Sequence, residues 1–365
     1  MNQEENEYPE ENLEPKDTQP SINDPEATPS LEARAANSEE AASWKKAQHV
    51  DVRPLQDHVA RIRAEIAKVV VGQEKLVDLL LAGMFVGGHC LVEGLPGIAK
   101  TLTSKLLAQT ISASYNRIQF TPDLMPTDIT GTSVFNVKEG EFYFRKGPIF
   151  ANIVLIDEIN RAPAKTQAAL MEVMEEKQIT YDGETYILTY PFFVIATQNP
   201  VEQEGTYNLP EAQLDRFIFK INLDYPSLEE EELILARFEN DFDSNQISQV
   251  KPVIDAMGIK ECAQMIEKVF IRPELLKYIA AIIHNTRHNG DLYLGASPRA
   301  SLSIMKASKA VAAIGGRDFV TPDDIKTVAY PVLNHRLIMS HEREIEGTPM
   351  NDIISSILAT IEIPR

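Results

Sequence analysis

The chain has 365 residues, 44% of them hydrophobic and 24% charged, and a net charge of −19. This describes a globular protein with room for two domains and a tail. The charge is uneven: through Glu40 twelve acids face only Lys16 and Arg34, so the tail holds −10 and the remainder −9. Even that moderately acidic remainder disfavours a wide basic track for nucleic acid. The first residues are acidic and lack the apolar core of a signal peptide. Leu76 to Val92 is interrupted by Asp78 and His89 and falls short of the ~20 residues a bilayer requires, so no membrane insertion is expected. Cys90 and Cys262 lie far apart, which points to buried thiols in a reducing, cytoplasmic setting.

Residues 1–44 are rich in Glu, Pro, Asn and Ser and cannot bury enough surface to offset chain ordering. A disordered acidic tail is expected there, either a solvated extension or a docking segment. From Leu55 to Ile66 apolar residues recur at helical spacing, and after a break at Gly72 a second helix starts from Gln73. That bend suits a plain helix connection or the flank of a purine base.

Leu91 to Thr101, LVEGLPGIAKT, reads as an apolar strand, a glycine-bearing loop and the start of a helix that continues through SKLLAQTISA. Backbone N–H groups of such a loop converge on an anion, Lys100 can reach outer phosphates, and the Thr101 hydroxyl can hold Mg²⁺. The pattern GxxxxGK[ST] is broken at Ala99. An ordinary Gly/Pro turn before a helix is the alternative.

Tyr115–Phe120 reads as a second strand, and 131–147 as a hairpin about Lys138, Glu139 and Gly140, a contact device or an edge hairpin without a partner. The four apolar residues Ile153 to Ile156 mark a strand buried on both faces, which delivers Asp157 and Glu158 to the ligand-binding edge of a parallel sheet. Asp157 can bind Mg²⁺ through water and Glu158 can polarise the water that attacks a γ-phosphate, unless the pair only caps the next helix. Leu170, Val173 and Met174 share a core-facing helical stripe. A second hairpin over 178–190 turns at Asp182 and Gly183. Phe192 to Ala196 then repeats the buried strand, and Asn199 emerges from it, placed to orient water or to serve as a turn residue before Pro200. Arg216 ends a short helix, where it can pair with Asp215 or Glu211, or reach a neighbouring subunit's nucleotide.

From Pro226 onward about six helices are expected. Arg299 stands in the first turn of one of them, against the macrodipole, and so requires an anionic partner: a carboxylate or a nucleotide phosphate. The seven histidines read as scattered, with no pair at metal spacing on a shared face.

Taken together, GLPGIAKT, LIDEINR, ATQNP, EGTYNLPEAQLDRF and GASPRA resemble the MoxR family of AAA+ ATPases, within the helix 2 insert clade, over roughly residues 45–365. That family tolerates Ala at the position of Ala99. The resemblance implies an α/β fold: an αβα nucleotide-binding domain (45–225) with a five-stranded parallel sheet and two hairpin inserts, then an all-α lid (226–365). It implies ATP and Mg²⁺ as cofactors, with the cradle at Gly94, Pro96, Gly97, Ile98, Ala99, Lys100, Thr101 and Leu102, and Val71 and Gly72 beside it. Lys100 and Thr101 become the Walker A pair, Asp157 and Glu158 the Walker B pair, and Asn199 sensor 1. Arg216 becomes the arginine finger and Arg299 sensor 2, with Thr101 and Asp157 as the metal residues.

The family also implies a hexameric ring of identical subunits that remodels a protein client, often one with a von Willebrand factor A domain, and inserts that line the pore or top face. Two alternatives keep the fold. One is a nucleic-acid translocase, for which Lys138 and Arg145 are few cations; the other is a low-turnover assembly switch.

Overall fold

The computed structural model describes residues 49–95, 97–200, 205–239 and 246–364. The tail expected at 1–44 and Pro96 of the loop lie outside the described residues. Two helices, α1 (Arg53–Ala67) and α2 (Glu74–Phe85), lead into β1 (Cys90–Gly94) and α3 (Lys100–Thr110). Then follow β2 (Ile111–Ser112), β3 (Tyr115–Gln119), α4 (Pro126–Thr130), a hairpin of β4 (Gly131–Asn136) and β5 (Glu141–Lys146), β6 (Ile153–Asp157) and α5 (Ala164–Glu176). A second hairpin of β7 (Gln178–Tyr181) and β8 (Glu184–Ile187) precedes β9 (Phe193–Gln198), α6 (Glu211–Leu214) and β10 (Phe219–Leu223).

Five of these strands form one parallel sheet in the order β10, β1, β9, β6, β3. Side chains alternate between its two faces, as the two-residue strand period requires. Cys90, Val92, Ile153, Leu155, Phe193 and Ile195 point into one core. Leu91, Val154, Ile156, Val194 and Ala196 point into the other, where Leu170, Val173 and Met174 meet them as expected. Burial on both faces explains why these strands read as unbroken apolar runs.

Beyond the sheet lie α7 (Leu228–Phe238), β11 (Ile254–Asp255), α8 (Ala256–Lys268), α9 (Pro273–Arg287) and β12 (Leu292–Leu294). They are followed by α10 (Pro298–Ile314), α11 (Pro322–Leu333), β13 (Ile338–Met339), α12 (His341–Ile345) and α13 (Met350–Thr360). Capping explains several of these boundaries. Ser227 and Glu230 form a capping box at the start of α7, Thr321 and Asp324 do so at α11, and proline opens α9, α10 and α11. No helix of the described residues is long and apolar enough to cross a membrane.

The structure corrects the sequence reading at two points here. The helix after the glycine loop stops at Thr110, because Ile111 and Ser112 pair in parallel with Ile254 and Asp255, and short β12 and β13 pair antiparallel within the helical part. Two-residue ladders carry no readable periodicity. His284 and His288 are also not scattered: they lie four residues apart at the end of α9, rings stacked 4.2 Å apart.

The hairpins form as expected, with Gly140 at φ +71° in the first turn and Asp182 and Gly183 at φ +51° and +80° in the second. They are joined to each other. Phe144 of β5 stacks on Tyr181 and Tyr186 with centroids 4.9 and 4.6 Å apart, while Phe142 and Val137 toward the first hairpin's tip stay exposed.

Candidate active site

Parallel strands deliver their carboxyl ends to one edge of the sheet, and the glycine loop, the acid pair and Asn199 all arrive there. Within the loop, Gly97 takes φ +86° and Ala99 φ +59°. Ala99 therefore holds a left-handed conformation that favours glycine, at some cost to an L-residue. Lys100 opens α3, and its Nζ donates to the carbonyls of Gly94 and, at 3.3 Å, Gln198. The ammonium is thus set between the ends of β1 and β9.

Asp157 is buried and its carboxylate gathers three side chains. Thr101 Oγ1 and Thr197 Oγ1 donate to Oδ1 at 3.1 and 3.2 Å, and Arg117 Nε donates to Oδ2 at 2.5 Å. The carboxylate beside it holds the Arg117 guanidinium above its ordinary pKa. Burial, reinforced by the Asp157 charge, pushes the Tyr115 phenol up to about 12. A hydroxyl and a carboxylate this close at a strand end suit a hard divalent cation, so Thr101 and Asp157 fit Mg²⁺ held through oxygen ligands and water.

Glu158 sits at φ +57° and ψ +54°, a left-handed conformation rare for a residue with a side chain and found where a site over-determines it. Its N–H donates to Thr197 Oγ1 at 3.1 Å, and its Oε2 accepts from Gln119 Nε2 at 2.7 Å and Arg161 Nε at 3.1 Å. Asn199 is buried just past Gln198.

Three contributors escaped the sequence reading. Arg117 and Gln119 belong to β3, where Gln119 lies in register with Asp157. The signal was the alternation in YNRIQF, which puts Tyr115, Arg117 and Gln119 on one face of a strand beside the acids. Gln73, itself at φ +62°, donates to the Ile98 carbonyl at 2.6 Å and accepts from Thr103 Oγ1 at 3.3 Å, strapping the helix connection to the loop. No spacing rule announces that contact. Gly72 beside it has φ +71°, and a Cβ there would meet Glu230 of α7 at 2.3 Å. Val71 precedes this bend, and Leu102 lies in the first turn of α3.

Arg216 and Arg299 are not brought to this edge. They line a cleft of about 300 Å³ at the amino ends of the strands, with Glu175, Asp215, Lys306 and Arg336. Five-residue strands rising about 3.3 Å per residue separate the two edges by roughly 15 Å. Arg216 pairs with neither Asp215 nor Glu211; its Nη1 donates to the Met171 carbonyl of α5. Arg299 finds the carboxylate its position requires, Glu175 Oε2 at 2.5 Å, and this contact lowers the Glu175 pKa. An acid in the last turn of α5 and a base in the first turn of α10 each oppose their own helix dipole, and pairing offsets both.

His89 is buried at this lower edge. Val194 N–H donates to its Nδ1 at 3.0 Å and its Nε2 lies 3.2 Å from the Met174 carbonyl, an arrangement that fits the neutral ring. Burial pulls its pKa down to about 4.

A parallel five-stranded sheet with a phosphate loop, an acid pair and a polar strand end at one edge defines a nucleotide-hydrolysing ATPase. Residues 89–219 match the ATPase family associated with various cellular activities (AAA), and residues 284–357 match the AAA lid domain. The chain is 44% identical over 314 residues to the uncharacterized protein YeaC of Bacillus subtilis, covering 86% of this chain and 96% of that one. It is 42% identical over 310 residues to chaperone MoxR1 of Mycobacterium tuberculosis, covering 82% and 81%. The crystal structure of a candidate ATPase from Cytophaga hutchinsonii superposes with a TM-score of 0.78 at 42% identity, covering 92% of this chain and all of that one. The chain belongs to the MoxR family of AAA+ ATPases, which use ATP with Mg²⁺.

Proposed function

We propose that the protein hydrolyses Mg-ATP at the interfaces of a ring of identical subunits, a hexamer by family resemblance, and uses the cycle to remodel a protein client. The observation that carries this reading is the separation of the two groups of functional residues. Lys100, Thr101, Asp157, Glu158 and Asn199 share one edge of the sheet, whereas Arg216 and Arg299 share the other. A cation roughly 15 Å away cannot touch its own chain's phosphates, but it can face the site of an adjacent copy.

In this reading the loop from Gly94 to Leu102 cradles the phosphates, and Lys100 leaves the Gly94 and Gln198 carbonyls for the β- and γ-phosphate oxygens. Thr101 and Asp157 hold the Mg²⁺, which when bound neutralises charge that develops on the phosphate oxygens. Glu158 accepts a proton from the attacking water, and Asn199 orients that water. As the water oxygen bonds to the γ-phosphorus and the bond to the β–γ bridging oxygen breaks, Arg216 and Arg299 of the neighbouring copy approach the γ-phosphoryl group and the β-phosphate of the departing ADP and stabilise the charge of the transition state. Val71 and Gly72 flank the base, under the Glu230 carboxylate of α7.

The client assignment follows the relative named as a chaperone, and a von Willebrand factor A domain protein is the partner class that the family resemblance implies. Residues 45–225 serve as the nucleotide module and 226–365 as the lid. The free thiols of Cys90 and Cys262 support a cytoplasmic setting.

Glu158→Gln tests the reading. It should bind ATP as the native chain does and lose about 10²–10⁴-fold in turnover, the usual worth of a general base. Native turnover in that variant would remove Glu158 from the chemistry. Affinity capture with ATP-bound Glu158→Gln should recover a protein; recovery of nucleic acid alone would reject the client assignment.

A further inference from the structure

The segment that follows α11, Asn334-His335-Arg336, has been given no function above beyond Arg336 lining the lower cleft, yet all three of its side chains bond to the turn that leads into β10 or to the strand's first residues. Asn334 Nδ2 donates to the Lys220 carbonyl at 3.0 Å, and His335 Nε2 lies 3.0 Å from the Phe217 carbonyl. Arg336 does most. Its side chain is 2% exposed, and its Nε donates to Asp215 Oδ1 at 2.6 Å. Nη1 donates to the carbonyls of Ile218 and Val332 at 3.2 and 2.5 Å, and Nη2 to those of Asp215 and Phe217 at 3.2 and 2.7 Å. All five N–H donors of the guanidinium thus have acceptors, and three of those acceptors are backbone carbonyls of residues 215–218.

Burying a guanidinium is costly, and breaking a buried pair costs more than forming it gains, so such a group holds its partners in one arrangement. The partners here are the backbone on either side of Arg216. The same Asp215 carboxylate reaches further, because its Oδ2 accepts from Ser297 Oγ at 3.2 Å. Ser297 is the residue from which α10 starts, two positions before Arg299. One buried fork therefore ties the turn that carries Arg216 to the helix start that carries Arg299.

We propose that Arg336 is a positioning residue: through Asp215 it locks Arg216 and Arg299 into a single rigid unit presented to the nucleotide of an adjacent copy. The inference rests on the reading that these two arginines act in trans. Because α11 delivers the fork, a displacement of the helical part moves both arginines together, and neither can be withdrawn alone.

The test uses the full-length chain with Arg336→Gln and the milder Arg336→Lys, which keeps a charge but loses the planar fork. In variants that keep native circular dichroism, kcat should fall about 10- to 100-fold, the usual result of a misplacement near 1 Å, while KM for ATP stays within about threefold. Mixing Arg336→Gln subunits with Lys100→Ala subunits, whose own fingers are intact, should raise turnover well above the sum of the separate samples. A simple loss of stability would not be rescued this way. If Arg336→Gln does not fold, Arg336→Lys is carried through the same mixing series. Native kcat in a folded variant overturns the proposal. So does an absence of rescue at every mixing ratio when Arg216→Ala subunits are rescued in parallel, and the trans reading then survives. If Arg216→Ala is not rescued either, the trans reading fails and this inference fails with it.

Discussion

The two edges of the sheet solve opposite problems. At the carboxyl edge Lys100 rests on carbonyls, and Arg117, 54% exposed, leans on Asp157. These are contacts a phosphate or a cation can replace. At the amino edge the Arg336 fork behind Arg216 and Arg299 is buried and every one of its donors is engaged, so none of its contacts is exchangeable without loss. The difference teaches that a ligand site needs partners that can be traded for the ligand, whereas the scaffold behind two presented arginines needs partners that cannot be traded at all.

The largest test of that contrast is a pair of variants. Lys100→Ala should lose nucleotide binding outright, while Arg216→Ala should bind ATP normally and lose on the order of 10³-fold in turnover. Binding measured by fluorescent nucleotide and turnover measured separately distinguish them. If Arg216→Ala weakens binding as Lys100→Ala does, the two edges are not functionally separate.

A second test concerns pH. The folded-state pKa of His89, about 4, lies below its unfolded value, so on acidification the unfolded chain takes up the proton first. Stability contributed by the neutral ring is therefore complete above about pH 6.5 and is lost as pH falls toward 4, about 3 kcal/mol in all. His335, lowered in the same direction by burial, adds to the slope. Urea midpoints across this window should fall less steeply for His89→Asn than for the native chain. An unchanged slope would show that the ring does not titrate with unfolding.

Smaller effects belong to the carboxyl edge. Gln73→Ala removes one strap from the loop and should weaken nucleotide binding by up to about tenfold, the worth of one or two hydrogen bonds, with little change in global stability. Ala99→Gly should matter least. Relief of the left-handed strain is offset by the flexibility glycine adds to the unfolded chain, for a net change under about 1 kcal/mol. A larger loss of affinity would mean that the Ala99 methyl has a packing role in the loop.

Much of this protein was legible from local pattern. The runs Ile153–Ile156 and Phe192–Ala196 declared central strands because both faces of a parallel sheet exclude water, and such strands deliver whatever follows them to one edge. The loop, Asp157, Glu158 and Asn199 follow from that rule alone, and the turn chemistry of Asp182 and Gly183 sufficed for the second hairpin. Arg299 could be read as a cation in need of an anion from helix polarity. Its partner could not be named, because Glu175 is 124 positions away. The same limit hid Gln73 from Ile98, the Asn334-His335-Arg336 clasp from residues 215–220, and the stacking of Phe144 on both tyrosines of the other hairpin. Sequence determined which residues stand at the ends of elements, since periodicity and capping act within a few residues. Only tertiary structure decided which ends meet, because burying a guanidinium or closing a loop depends on partners that chain folding, not chain order, brings together.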